Sequence, residues 1–384
     1  MIDDNLGISE CGNNSIAKNA VINSFVETQR LEMHMEKSKV LHVGNVRKCD
    51  QPCPALKVHK EIMQKADSFK YLGNIITSNG SNHATIEDRR NKGWGKVAQI
   101  MGIIGEVEIG THRMEIGLLL RKAILTSSLL FSAEAWSAVT DTVIHRLKQV
   151  DSALLRSLVN GHSKTANIFH HLETGTLKLR HILMKNRLLY HHHIITREES
   201  ETIRKIYNKQ RDNPLKGDWY NIIVKDFAFL GIEMNESEIK LSTKSEYKKK
   251  IKSLLMKAAF CEYLKEKDQK SKLNQLTYET FKIQPYLTKY GFTSKEISLI
   301  YALRSRSHPA KSNYKNMYKN TIQCSLGCLA EENQKHIFED CIPVREKLNL
   351  KEIFKIDLIY GDLSNQKAAV DNFIQIEENR LKKN

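Results

Sequence analysis

The chain has 384 residues, 41% of them hydrophobic and 27% charged, with only 6 prolines. That balance excludes collagen-like, low-complexity and wholly disordered chains and leaves room for two or three domains. Lys and Arg number 60 against 44 Asp and Glu, a formal charge of +16; such an excess favours a polyanionic partner without dictating a fold.

In chain order, the first elements alternate. Residues 16–31 have apolar spacing that suits a helix, and residues 39–43 read as a buried strand bounded by Gly44. Residues 53–62, with Pro52 and Pro54 at their start, suggest a hairpin. Residues 69–76 read as a further strand, followed by turn-forming residues 78–82. Beyond Asn82 the pattern turns helical, with expected helices over 85–104, 114–136, 142–159, 177–198 and 201–210. Gly93 and Gly95 lower the propensity of the first of these. In the fourth, His191, His192 and His193 point in different directions on a helix and cannot share one metal; they read as a basic face with one ring turned inward. The bulk is helical, and the fold class expected is mainly α with a small N-terminal α+β part.

Between residues 240 and 319 stand 19 Lys and Arg against 6 Asp and Glu. This stretch therefore carries most of the excess charge. Aromatic side chains from Tyr247 to Tyr318 are interleaved with the cations, Arg304 and Arg306 among them. Cations with interspersed rings suit a surface that tracks phosphates and stacks bases. The partner expected is RNA or DNA.

No apolar run approaches the roughly 18–20 residues that span a bilayer. The richest, 114–138, is broken by Arg121, Lys122 and Glu134, and the chain opens with Asp3 and Asp4 where a secretory signal would be basic. Seven cysteines are an odd number and too few to staple the chain. The expectation is a reducing, intracellular setting, nuclear or cytoplasmic, with no secretion and no membrane. Cys324, Cys328, His336 and Cys341 follow one another with three, seven and four residues between them. Three thiolates and an imidazole complete a tetrahedral zinc set with no position for water, so a bound Zn2+ would be structural. Cys49 and Cys53, near His42 and His59, lack a convincing second pair and read as non-ligands.

Three motifs stand in order: Ile2-Asp3-Asp4, then Lys37-Ser38-Lys39, then Tyr71-Leu72-Gly73 with Gly80 after it. This series resembles the end of the palm and the start of the thumb in reverse transcriptases of non-LTR, LINE-like retrotransposons, with Met1 where that family has an aromatic residue. The resemblance implies truncated palm hairpins over 1–82 and a helical thumb over 83–213. A basic helical connector would follow over 214–320, a CCHC zinc knuckle over 321–345 and a helical tail over 346–384. It implies catalytic roles for Asp3 and Asp4 in an incomplete site, with Mg2+ used only by an intact polymerase. Lys39, Tyr71, Leu72 and Gly73 would lie near the primer, and Arg89, Arg90 and Arg187 would contact nucleic acid. A two-metal centre also needs a carboxylate from an earlier palm strand, so the expectation is an RNA-directed DNA polymerase fragment that binds nucleic acid and is inactive alone. A non-enzymatic RNA- or DNA-binding zinc-knuckle protein and a helical protein-interaction scaffold are the alternatives.

Overall fold

The N-terminal strands are too short to bury a face of their own and lean on helices. The computed structural model describes residues 6–9, 12–44, 55–58, 61–105, 112–137, 141–288, 291–314, 317, 322–348 and 354–381. After helix α1 (Gly12–Thr28), strand β1 (Lys39–Val40) pairs in parallel with β4 (Gln64–Lys65), Lys39 opposite Gln64. Strands β2 (Lys57–Val58) and β3 (Glu61–Ile62) pair antiparallel, as do β5 (Ser68–Tyr71) and β6 (Asn74–Thr77). Two-stranded pairs of this length are not stable alone. Asn19 and Asn23 of α1 hold the Lys57 carbonyl at 2.6 and 2.8 Å, and the Thr85 hydroxyl bridges the Ile75 N–H and carbonyl at 2.8 and 3.0 Å.

The stretch expected as one strand over 69–76 is instead a tight hairpin. Tyr71 and Asn74 pair across a two-residue turn in which Leu72 has φ +44° and Gly73 φ +81°. Two consecutive left-handed residues match the twist of the flanking strands, and only the second is a residue that adopts that conformation freely.

Helix α2 (His83–Gly105) packs on α5 (Asp141–Leu158). Gly93 is what lets it approach: a Cβ there would stand 2.7 Å from Leu129 Cδ2 and 3.1 Å from Val150 Cγ1. Helix α3 (His112–Leu120) runs through a π-helical segment, Arg121–Thr126, into α4 (Ser127–Leu129). The helix expected over 114–136 therefore ends early; the chain turns away at Ser132, which has φ +54°. In α5, Leu147, Val150, Leu154 and Leu158 are all buried, as their shared face requires.

Further α-helices among the described residues are α6 (Asn167–Thr174), α7 (Leu179–Ile195), α8 (Thr202–Asp212), α9 (Trp219–Phe229), α10 (Glu236–Leu241), α11 (Lys244–Asp268), α12 (Ser294–Arg304), α13 (Ile342–Leu348) and α14 (Leu363–Leu381). The protein is mainly helical. Thr243 with Glu246, and Thr293 with Glu296, form capping boxes that start α11 and α12. A large core gathers α2 to α6, α12 and α14; a second one takes Leu188, Tyr207, Trp219, Phe227, Tyr247 and Leu255. Helix α11 serves both, because its buried stripe advances by four residues from Tyr247 through Ile251, Leu255 and Ala259 to Tyr263. No helix among the described residues is long and apolar enough to cross a membrane.

Candidate metal centre and nucleic-acid surface

The Cys and His residues spaced along 324–341 converge. Their ligand atoms all lie within 4.8 Å of one another. Residues 322–332 form a narrow loop: Cys324 N–H donates to the Ala330 carbonyl at 2.9 Å, and Glu332 N–H to the Ile322 carbonyl at 2.8 Å. Gly327, at φ +95°, makes the turn, and Leu326 N–H donates to Cys324 Sγ at 3.4 Å. His336 opens a π-helical segment, His336–Asp340, with Cys341 at its C-cap. A five-residue step overshoots one α-helical turn, whereas a π-helical turn is wider, so this backbone brings His336 and Cys341 onto one side.

The geometry fits a metal ion. Cys341 Sγ lies 3.8 Å from Cys324 Sγ and 3.6 Å from Cys328 Sγ; zinc–sulfur bonds of about 2.3 Å at tetrahedral angles would hold sulfurs about 3.8 Å apart. His336 Nε2 is buried and has no hydrogen-bond partner. Burial first, then the neighbouring sulfurs of Cys328 and Cys324, push the Cys341 thiol up to about 12. A divalent cation is the charge that would reverse this.

The loop is locked onto the fold. Glu332 accepts from Ser325 N–H at 2.8 Å and Ser325 Oγ at 2.5 Å, and its other oxygen accepts from Arg380 of α14 at 2.7 Å. Ile337 and Phe338 are buried, Phe338 against Phe373 with ring centroids 4.7 Å apart.

Asp3 and Asp4 lie outside the described residues. Gly73 and Arg89 come together: the guanidinium donates to the Gly73 carbonyl at 2.8 Å and rests over the Phe131 ring. Leu72 projects from the hairpin tip, 60% exposed, and Tyr71 precedes it on β5. Arg90 pairs with Glu87 at 3.3 Å, and the Lys39 ammonium donates to the Gln64 side chain.

Three expected nucleic-acid contacts are placed differently, Arg89 being itself buried in the contacts just described. Arg187 is buried in a two-pronged pair with Asp226, both bonds 2.8 Å. Arg304 is buried against Glu173 at 2.9 Å, and Glu173 also accepts from Tyr278 at 2.6 Å and Tyr286 at 2.5 Å. Both guanidiniums are spent inside the protein. Most rings expected to stack bases have the same fate: Tyr247, Tyr263, Tyr278, Tyr286, Phe292, Tyr301 and Tyr314 are buried, Phe260 and Phe281 are half-buried against the core, and Tyr290 and Tyr318 lie outside the described residues. Of the three neighbouring histidines, His191 and His192 turn inward, and His193 is exposed.

Two groups of cations remain that have no acid among them, and spacing along the sequence could not reveal either. Lys185 of α7 is held below the usual lysine range by burial, then by Lys122, Lys248 and Lys252. Lys272 is held down by burial, then by Lys164 and Arg306. None of these seven has an ion pair among the described residues. No family model, no curated protein and no solved structure matches the chain.

Proposed function

We propose that this polypeptide binds RNA or DNA through backbone phosphates and is related to the C-terminal part of a non-LTR retrotransposon reverse transcriptase, with its Cys3His set holding a structural zinc ion. The observation that carries the reading is the pair of ammonium groups, Lys164 and Lys272, set 4.8 and 5.9 Å from the centre of the Tyr314 ring beside the metal-binding loop with no ion pair among the described residues; burial and then Lys122, Lys248 and Lys252 likewise hold Lys185 down. Lysines packed near one another repel, and a phosphate backbone relieves that repulsion while releasing its own counterions. The order of the Asp3-Asp4, Lys37-Ser38-Lys39 and Tyr71-Leu72-Gly73 motifs supports the relationship, and the Gly73–Arg89 bond ties the third motif to the helix that follows it.

On this reading the stretch binds nucleic acid and does not polymerise alone. The Cys3His set has donors that leave no open position for a reacting water or hydroxyl, so that centre is structural and not hydrolytic. The test is a primed RNA template with Mg2+ and nucleotides: the polypeptide retains the template and adds no nucleotide. Extension that disappears in Asp3→Ala would contradict the inactive reading, and failure to retain the template would contradict the binding reading.

A further inference from the structure

Lys164 and Lys272 meet over one ring beside the metal-binding loop, and Arg306 immediately precedes the residue whose carbonyl holds that ring. Lys164 lies in the connection between α5 and α6, Lys272 in a 3-10 turn (Ser271–Leu273), and Arg306 just past α12. Lys164 Nζ stands 4.8 Å and Lys272 Nζ 5.9 Å from the centre of the Tyr314 ring. That ring is fixed: its hydroxyl donates to the Ser307 carbonyl at 2.7 Å. Each ammonium makes one long bond, Lys164 to Met317 Sδ at 3.5 Å and Lys272 to the Asn313 carbonyl at 3.4 Å, so most of their donors are unspent. The segment carrying Tyr314 is tied to the loop by Lys311, which donates to the Gln323 carbonyl at 2.8 Å, and by Ser312 N–H, which donates to the Glu332 carbonyl at 3.0 Å.

Arg306 occupies a position that favours glycine. It follows α12 in the left-handed conformation, φ +49°, with its N–H on the Leu303 carbonyl and the Ser307 N–H on the Ala302 carbonyl. This double bond pattern is the helix-ending arrangement in which glycine is unstrained and a side chain is not. The Arg306 guanidinium makes no hydrogen bond within the described residues. The residue is half-buried, and backbone strain held at a charged side chain without an internal hydrogen bond motivates a functional reading.

We propose that Lys164, Lys272 and Arg306 form a seat for the phosphates of a nucleic-acid backbone, with the metal-binding loop as its rigid support. The assignment rests on the nucleic-acid-binding reading and gives it a location. It is tested with the full, zinc-loaded chain and a labelled 20-nucleotide single-stranded RNA titrated across salt concentrations. Three lost phosphate contacts flatten the slope of log affinity against log salt by about 2. Lys164→Gln/Lys272→Gln/Arg306→Gln is therefore expected to show that change and about a tenfold or greater loss of affinity at low salt. Arg306→Gly alone is expected to lose about 0.7 of slope while its Tm stays at or above the parent value, since strain is relieved.

A control, Lys205→Gln/Lys209→Gln/Lys216→Gln, neutralises three exposed cations elsewhere and is expected to alter the slope little. If the parent binds and the triple variant keeps its slope, or if the control loses as much, the seat is overturned while binding stands. If the parent binds neither this RNA nor a single-stranded DNA of the same length, both readings fall. A lower Tm in Arg306→Gly would mark that side chain as structural and overturn the assignment. So would loss of binding to anionic phospholipid vesicles with RNA binding intact, since that outcome identifies a membrane surface.

Discussion

Glu173 shows how a single buried charge can tie distant segments together. Its carboxylate, wholly buried on α6, collects Arg304 of α12 and the hydroxyls of Tyr278 and Tyr286. Removing one partner of a buried pair leaves the other charge uncompensated, at a cost of about 3–5 kcal/mol. Glu173→Gln is expected to lower unfolding free energy by that order in urea titrations. Arg187→Gln should likewise destabilise, while leaving the salt slope of RNA binding unchanged, because its guanidinium faces Asp226 and not solvent. A flattened slope with stability intact would restore Arg187 as a phosphate contact. At the metal centre, Cys328→Ser is expected to abolish stoichiometric zinc in elemental analysis and to lower the Tm, whereas full zinc retention would remove Cys328 from the ligand set. The four ligands were legible because they lie within one short stretch of sequence. Glu173 and Arg304 were not, since nothing local marks two residues so far apart as partners.

At the scale of elements, helix α2 sets propensity against packing. Alanine favours a helix interior over glycine by about 1 kcal/mol, so propensity alone predicts that Gly93→Ala stabilises. The Cβ would press on Leu129 and Val150, both fully buried, and such overpacking costs about 1–3 kcal/mol. Packing wins, and a net loss of about 1 kcal/mol is expected in thermal or urea unfolding; a gain would show that Leu129 yields freely. Regular amphipathic helices such as α5 were readable from their apolar stripes. The hairpin at Leu72 and the early end of α4 were not, because Leu72 and Ser132 hold left-handed angles that their side chains do not advertise. The basic stretch was readable as charge but not as surface: its aromatic rings supply core, and its free cations come partly from elsewhere, Lys122, Lys164 and Lys185 included.

For the molecule as a whole, acid should loosen the fold. Burial holds His170 down at about 3 and His191 at about 4, against about 6.5 in an unfolded chain. These folded values are depressed, so the unfolded state takes up protons first as pH drops. Stability is then full above about 6.5 and falls below it, by up to about 1.4 kcal/mol per pH unit for each histidine. The Tm is expected to fall between pH 7 and 5, and His191→Phe, whose ring can keep the contacts with Tyr207, Trp219 and Phe227, should flatten that fall; an unchanged profile in both proteins would contradict it. The central claim is that unpaired cations on a locked helical body grip phosphates. The most direct measurement is fluorescence anisotropy of labelled single-stranded RNA with the parent protein from low to high salt. A linear decline of log affinity with log salt, slope about −3 or steeper, is the predicted result, and affinity that ignores salt, or no binding at low salt, would contradict it.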